Sequence, residues 1–265
     1  MVLPKPPKAL LFDVFGTCVD WRTTVTRALY TQAHESLNSA AASLPTSVRT
    51  KATDMTLEEW GSFAQRWRDS YKEFTRSLAT DPTLPWKTVD EHHLDALADL
   101  VSSHDLEGLW THSELRLLSL IWHRLEPWPD SSPGIAKLNK RAQTATLSNG
   151  NLALLSDLKD YCSMEFTYIF SAEMFGSYKP SPKVYLGAVE QLGLHPSECA
   201  MVAAHLNDLK AAKSHGLQTI YVERFLEEDW SSDDVDKARA EGWVDFWIPL
   251  DAGGFVAVAD MLGIE

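Results

Sequence analysis

Ala9-Leu10-Leu11-Phe12-Asp13-Val14-Phe15-Gly16-Thr17 is the stretch that decides the fold. Four apolar residues run directly into a carboxylate, and a glycine and a threonine follow within four positions. A short uninterrupted apolar run reads as a strand covered on both faces, as the strands of parallel sheets are. Asp13 then stands at the carboxyl end of that strand, where open α/β sheets gather ligands against loop N–H groups and helix N-termini. Alone, such an aspartate reads as a cap or turn residue. Its place after a buried strand makes it a candidate nucleophile.

The same grammar recurs twice downstream. Thr144 to Leu147 leads into Ser148-Asn149-Gly150-Asn151 and a helix-like stretch, Ala153 to Lys159. Ala200 to Ala204 leads through Asn207-Asp208 into a second, Leu209 to His215. Phe166 to Phe170, Thr219 to Val222 and Phe246 to Ile248 are shorter strand candidates. Strand, polar loop, helix, repeated in this order, predicts an α/β fold with a doubly wound, Rossmann-like parallel sheet. Between Thr23 and Leu125 the pattern changes. Leu57, Trp60, Phe63, Ala64, Trp67, Tyr71 and Phe74 recur at three- and four-residue spacing, which predicts one amphipathic helix. Leu115 to Leu125 predicts another. The expected organisation is a core made of residues 1–22 and 127–265, with a helical cap, residues 23–126, inserted after the first strand and placed over Asp13.

A chain of 265 residues buries a full core without staples. Its three cysteines, Cys18, Cys162 and Cys199, are too few and too scattered for a disulfide framework or a zinc cluster. The apolar run before Asp13 is too short for a signal segment or a membrane span, so the expectation is a soluble, cytoplasmic protein without a membrane partner. A formal charge of −13 argues against nucleic acid, whose phosphates require clustered Lys and Arg. It does not exclude a small anionic substrate, because a buried arginine binds a carboxylate at contact distance whatever the global charge.

Four segments in order carry a resemblance: Phe12-Asp13-Val14-Phe15-Gly16-Thr17, Leu147-Ser148-Asn149-Gly150, Tyr178-Lys179-Pro180, and Met201-Val202-Ala203-Ala204-His205-Leu206-Asn207-Asp208. Together the chain resembles the haloacid dehalogenase superfamily, and within it the type II L-2-haloacid dehalogenases, with Trp67-Arg68 in the predicted cap helix as further support. The resemblance implies a metal-independent hydrolysis of short 2-haloalkanoic acids through an ester on Asp13. It implies that Thr17 orients Asp13, that Lys179 keeps it ionised with Tyr185 near the same loop, and that Ser148 and Asn149 hold the substrate carboxylate. It further implies that Arg68 meets substrate and departing halide, that Phe15 and Trp67 form an apolar wall, and that Asp208 with His205, beside Asn207, serves the water step. A homodimer is expected on the same ground, and no cofactor.

Two departures from the superfamily pattern bear on the chemistry. Phosphatases of the superfamily carry a second aspartate two residues after the nucleophile and two acidic residues four apart in the last motif; here Phe15 and Ala204 stand instead, leaving Asp13 and Asp208. Magnesium wants near-octahedral oxygen coordination and usually needs at least two carboxylates with a substrate phosphate, and an alcohol leaving group needs an acid that is missing, whereas halide leaves without a proton. The familiar dehalogenase serine and asparagine are replaced by Ala203 and His205, a swap shared with a branch that resembles defluorinating dehalogenases and cis-epoxysuccinate hydrolases. Epoxide opening on a small dicarboxylate is therefore the nearest rival, with a phosphatase or a non-catalytic binding protein of the same fold behind it. His92-His93 and Glu227-Glu228-Asp229 read as solvated polar segments.

Overall fold

The computed structural model describes residues 6–40, 43–81 and 83–265. Of the N-terminal stretch, Met1 to Lys5 lie outside the described residues, and the expectation about a leader segment with them. Six parallel strands form the central sheet in the order β5-β4-β1-β6-β7-β8: β1 Ala9–Phe12, β4 Gln143–Ser148, β5 Tyr168–Ser171, β6 Cys199–Ala203, β7 Gln218–Val222 and β8 Phe246–Ile248. β1 is central, with Phe12 level with Thr146 of β4 on one side and Val202 of β6 on the other. Every residue of β1 and β6 is buried, as an apolar strand covered on both faces requires. The carboxyl ends of β1, β4 and β6 consequently open side by side, and three polar loops meet there.

Between β1 and the short strand at Glu126–Pro127 the described residues form five α-helices: α1 Trp21–Asn38, α2 Thr46–Asp54, α3 Leu57–Thr80, α4 Val89–Ser103 and α5 His112–Ser119. The chain enters and leaves this layer through an antiparallel two-stranded ribbon, β2 Val19–Asp20 against β3 Glu126–Pro127. Three of these helices start with the same device. Thr56 with Glu59, Thr88 with Glu91 and Thr111 with Glu114 each form a reciprocal capping box, satisfying N–H groups that the first turn leaves orphaned. α3 buries Trp60, Phe63, Ala64, Trp67, Arg68, Tyr71 and Thr75, one stripe at helical period. The remaining helices, α6 Ser131–Leu138, α7 Leu152–Tyr161, α8 Pro182–Gln191, α9 Leu206–Ser214, α10 Ser232–Glu241 and α11 Gly254–Met261, belong to the sheet half.

Two expectations change here. The helix predicted over Leu115 to Leu125 stops at Ser119 and tightens into a 3₁₀ turn, Leu120–His123. The tighter winding turns Trp122 inward, where it is fully buried and stacks on Trp21 and on His93. His93 is buried, not solvated, because on α4 it shares the inner stripe with Val89, Ala96 and Leu97. Neither ring nitrogen has a hydrogen-bond partner, and burial pushes its pKa far down, so the ring packs as a neutral imidazole.

His123 ties the layers together. Its Nε2 lies 3.0 Å from Asp90 of α4 and its Nδ1 2.8 Å from Asp157 of α7. Burial lowers the His123 pKa, but the two carboxylates outweigh it and the net shift is upward. A raised pKa stabilises the fold below the unfolded value of about 6.5 and loses that contribution as pH rises through the folded value. His123→Gln should therefore cost about 1 kcal/mol near pH 6, a surface-pair magnitude because Asp157 is largely exposed. The difference from wild type should close as pH rises through the folded value and the histidine deprotonates, which urea midpoints from pH 6 upward would read.

Candidate active site

Asp13 directly follows β1, and the loop it opens is held from several directions. Thr17 Oγ1 donates to Asp13 Oδ2 at 2.8 Å and accepts the Ala204 N–H at 3.0 Å, tying the ends of β1 and β6 through one hydroxyl. Three consecutive carbonyls of the loop each receive a side-chain donor: Gly16 O from Trp128 Nε1 (2.9 Å), Thr17 O from Arg224 Nε (3.0 Å) and Cys18 O from Ser131 Oγ (2.6 Å). Arg224 is fixed in turn by a bidentate pair with Asp130 at 2.6 and 2.7 Å. Gly16 adopts φ +83°, and a Cβ there would collide with the Glu227 carboxylate, so the turn requires glycine twice over.

Two cationic groups share the nucleophile. Lys179 Nζ lies 2.9 Å from Asp13 Oδ1 and 2.5 Å from Asp208 Oδ2, and Tyr185 OH donates to Asp208 Oδ1 at 2.6 Å. His205 Nδ1 lies 3.1 Å from Asp13 Oδ2, and its Nε2 lies 3.4 Å from Glu227 Oε2. Burial pushes the Asp13 carboxyl upward, yet the Lys179 ammonium and His205 overcome it and hold the group far below the usual carboxylate range. Burial likewise works against the charged His205, but Asp13 and Glu227 raise it to about 9. At neutral pH the site therefore presents a carboxylate held by an ammonium and an imidazolium. Asp208 is shifted upward, chiefly by burial.

The arrangement does not fit the magnesium that phosphatases of the fold use. The Lys179 ammonium already pairs with both Asp13 and Asp208, the two carboxylates left by the sequence pattern. Among the described residues no group of three or more His, Cys, Asp or Glu is disposed to hold a metal ion.

A cavity of about 470 Å³ opens over this network, walled by Asp13, Asn149, Lys179 and His205 from the sheet side and by Arg68 and Tyr71 of α3 from the helical side. Arg68 is 4 % exposed, with Phe15 and Tyr71 rings 5.3 and 4.7 Å from its guanidinium carbon. Its Nη2 donates only weakly, to Phe15 O at 3.4 Å, while Nε and Nη1 have no protein partner. A buried cation left short of acceptors is costly unless an anion arrives.

Other residues singled out in the sequence stand differently. Ser148 is fully buried and does not line the cavity; its hydroxyl accepts the Gly150 N–H at 3.3 Å. Asn149 lines the cavity, but its amide bonds the Lys179 backbone through both ends (2.7 and 3.4 Å) and sets the position of the lysine. Phe15 and Trp67 lie beneath the lining, not in it: Phe15 backs Arg68, and Trp67 Nε1 donates to His93 O at 3.0 Å. Asn207 sits at the rim and accepts from Trp230 Nε1 at 2.8 Å, away from Asp13. Glu227 had been read as part of a solvated loop; it is 5 % exposed, accepts Trp21 Nε1 at 3.0 Å and faces His205. The acidic run Glu227-Glu228-Asp229 disguised it, because only its neighbours reach the surface. Tyr71 was visible in the helical stripe as a core residue, one turn beyond Arg68, and the same spacing places it in the site.

Comparison with known proteins agrees with this geometry. The haloacid dehalogenase-like hydrolase family pattern matches residues 7–216. An (S)-2-haloacid dehalogenase 4A of Burkholderia cepacia is 27 % identical over 222 residues, covering 82 % of this chain and 83 % of that protein. The crystal structure of an L-2-haloacid dehalogenase superposes with a TM-score of 0.77 at 32 % identity, over 97 % of this chain and 99 % of the other. A defluorinating L-2-haloacid dehalogenase gives 0.81 at 28 %, over 98 % and 100 %. With the sheet order, the strand-end aspartate, the inserted helices and the family pattern in agreement, the chain belongs to the haloacid dehalogenase-like hydrolases.

Proposed function

We propose that the protein hydrolyses short 2-haloalkanoic acids to 2-hydroxy acids and halide through an ester on Asp13. The observation that carries this reading is Arg68, a buried guanidinium with two uncommitted nitrogens in the same cavity as a carboxylate held ionised. Asp13 attacks carbon two; the carbon–halogen bond breaks with its electron pair leaving on the halide, and Arg68 stabilises the developing negative charge. Water then adds to the Asp13 ester carbonyl and the 2-hydroxy acid departs, one proton being released overall. Esterification removes one of the two anions beside His205, which lowers its pKa and lets it, with Asp208, accept the proton of the attacking water. Lys179 stabilises the carboxylate at both ends of the cycle. The expected homodimer belongs to this proposal, and sedimentation of the free protein reads it.

The test is halide release in the presence of chelator from each enantiomer of 2-chloropropionate and from monofluoroacetate. Arg68→Gln should lower kcat/KM by about 10² to 10³. Its Tm should hold or rise, because the change removes an unpaired buried charge. A specific observation favours one second reading: an imidazolium within reach of the nucleophile is a proton donor for an opening epoxide. cis-Epoxysuccinate turned over to diol without halide formation from any haloacid would move the assignment there.

A further inference from the structure

The cavity is larger than a two- or three-carbon haloacid fills. A volume of about 470 Å³ lies in the range that holds ligands of drug size. The excess runs outward along α3, where Arg68, Lys72 and Arg76 recur every four residues and all line the wall. Of the cationic side chains there, Lys179 is committed to Asp13 and Asp208, and Lys72 is committed to both carboxylate oxygens of Asp229 at 2.8 Å. Among the described residues the Arg76 guanidinium has no carboxylate or carbonyl partner, although the chain carries a surplus of acidic side chains. The nearby threonines do not compete for a ligand: Thr75 Oγ1 donates to Tyr71 O and Thr80 Oγ1 to Arg76 O. Asp229, the acid on the opposite rim, is occupied by Lys72 and so does not neutralise Arg76.

Residues eight apart on a helix are separated by about 12 Å along its axis. That spacing suits a substrate whose reacting end lies at Arg68 and whose second anionic group, a short carbon chain away, is taken by the Arg76 guanidinium. We infer that the preferred substrates carry a second anionic group at the end remote from the halogen, and that Arg76 at the cavity mouth is the residue that selects it. The inference rests on the dehalogenase reading of the same cavity for its reaction, but not for its binding.

A matched pair of substrates separates the two. 2-Bromoadipate and 2-bromohexanoate share a six-carbon chain and differ in the far carboxylate. The wild-type protein should favour the diacid in kcat/KM, and Arg76→Gln should reduce that preference about fivefold, through KM, with Arg76→Lys restoring part of it. Added salt should shrink the preference, since Arg76 is exposed to solvent. The unreactive pair adipate and hexanoate, titrated calorimetrically into wild type and Arg76→Gln, tests the same selection without chemistry. An adipate preference that Arg76→Gln removes supports the inference even if no halide is ever released, in which case the reaction assignment alone fails. Equal binding of adipate and hexanoate by the wild type, or a preference untouched in Arg76→Gln, overturns it.

Discussion

Asp13→Asn should abolish halide release, by about 10⁴-fold or more, because the amide cannot act as a nucleophile and no other group is placed to take its role. The two oxygens of Asp13 are engaged by Lys179, Thr17 and His205, so the reacting atoms are already oriented before substrate arrives. An isosteric amide preserves most of that packing. Lys179 keeps Asp208 and His205 keeps Glu227, so the variant should fold and its loss should fall on kcat. A single turnover in heavy-oxygen water gives the companion measurement: the label should enter the Asp13 carboxylate of the wild-type protein first, and mass spectrometry of the peptide holding Asp13 would find it. Label in the hydroxy acid alone after one turnover would mean direct attack by water and remove the ester from the mechanism.

Lys179→Met is the second large effect, and it acts on stability as well as rate. The lysine and its two carboxylate partners are each only about a tenth exposed (9 %, 11 % and 10 % for Lys179, Asp13 and Asp208). Removing the ammonium leaves two buried carboxylates facing one another, a change of about 3 to 5 kcal/mol at neutral pH. The pH dependence between pH 5 and pH 7 should steepen. In the wild type the depressed Asp13 pKa contributes stability above the unfolded value of about 3.9, lost as pH falls through the folded value. In the variant a carboxyl pKa is raised, so stability should be greater near pH 5 than near pH 7 and fall as that group ionises. Urea unfolding at both pH values checks this. A variant as stable as wild type at neutral pH, with the same trend, would show that the triad is not electrostatically coupled.

Much of the framework was legible because burial writes plainly in short apolar runs. β1 and β8 have the expected bounds, and the other core strands differ by one or two residues at one end or both, where pairing with a neighbour decides the last residue. The β2–β3 ribbon, two residues on each side, carries no periodic signal at all. The capping boxes of α3, α4 and α5 stand in the sequence as Thr-x-x-Glu, each marking a helix start that apolar periodicity alone does not fix. Around the site, the motifs single out Asp13, Thr17, Lys179, Asp208 and His205 in the sequence, and the fold places them within one hydrogen-bonded network. What sequence order concealed was direction. Ser148 faces inward to its own loop, and Glu227 turns in while the acids after it turn out; which way a side chain points on an irregular segment depends on partners far along the chain.

The donors that clamp the nucleophile loop come late in the chain. Trp128, Ser131 and Arg224 lie 112, 113 and 207 residues beyond the carbonyls they hold. Contacts this distant in sequence close only after the intervening loops have lost their freedom. A ribosome-bound chain that has exposed everything up to residue 216, where the family pattern ends, carries Asp13, Lys179 and Asp208 yet lacks the Arg224 clamp and the Glu227 wall. A fragment cut short of Arg224 should therefore be inert even if the rest of its sheet forms, which halide release by the fragment would check. A nucleophile beside the first strand thus takes its fixed geometry from side chains more than two hundred residues away.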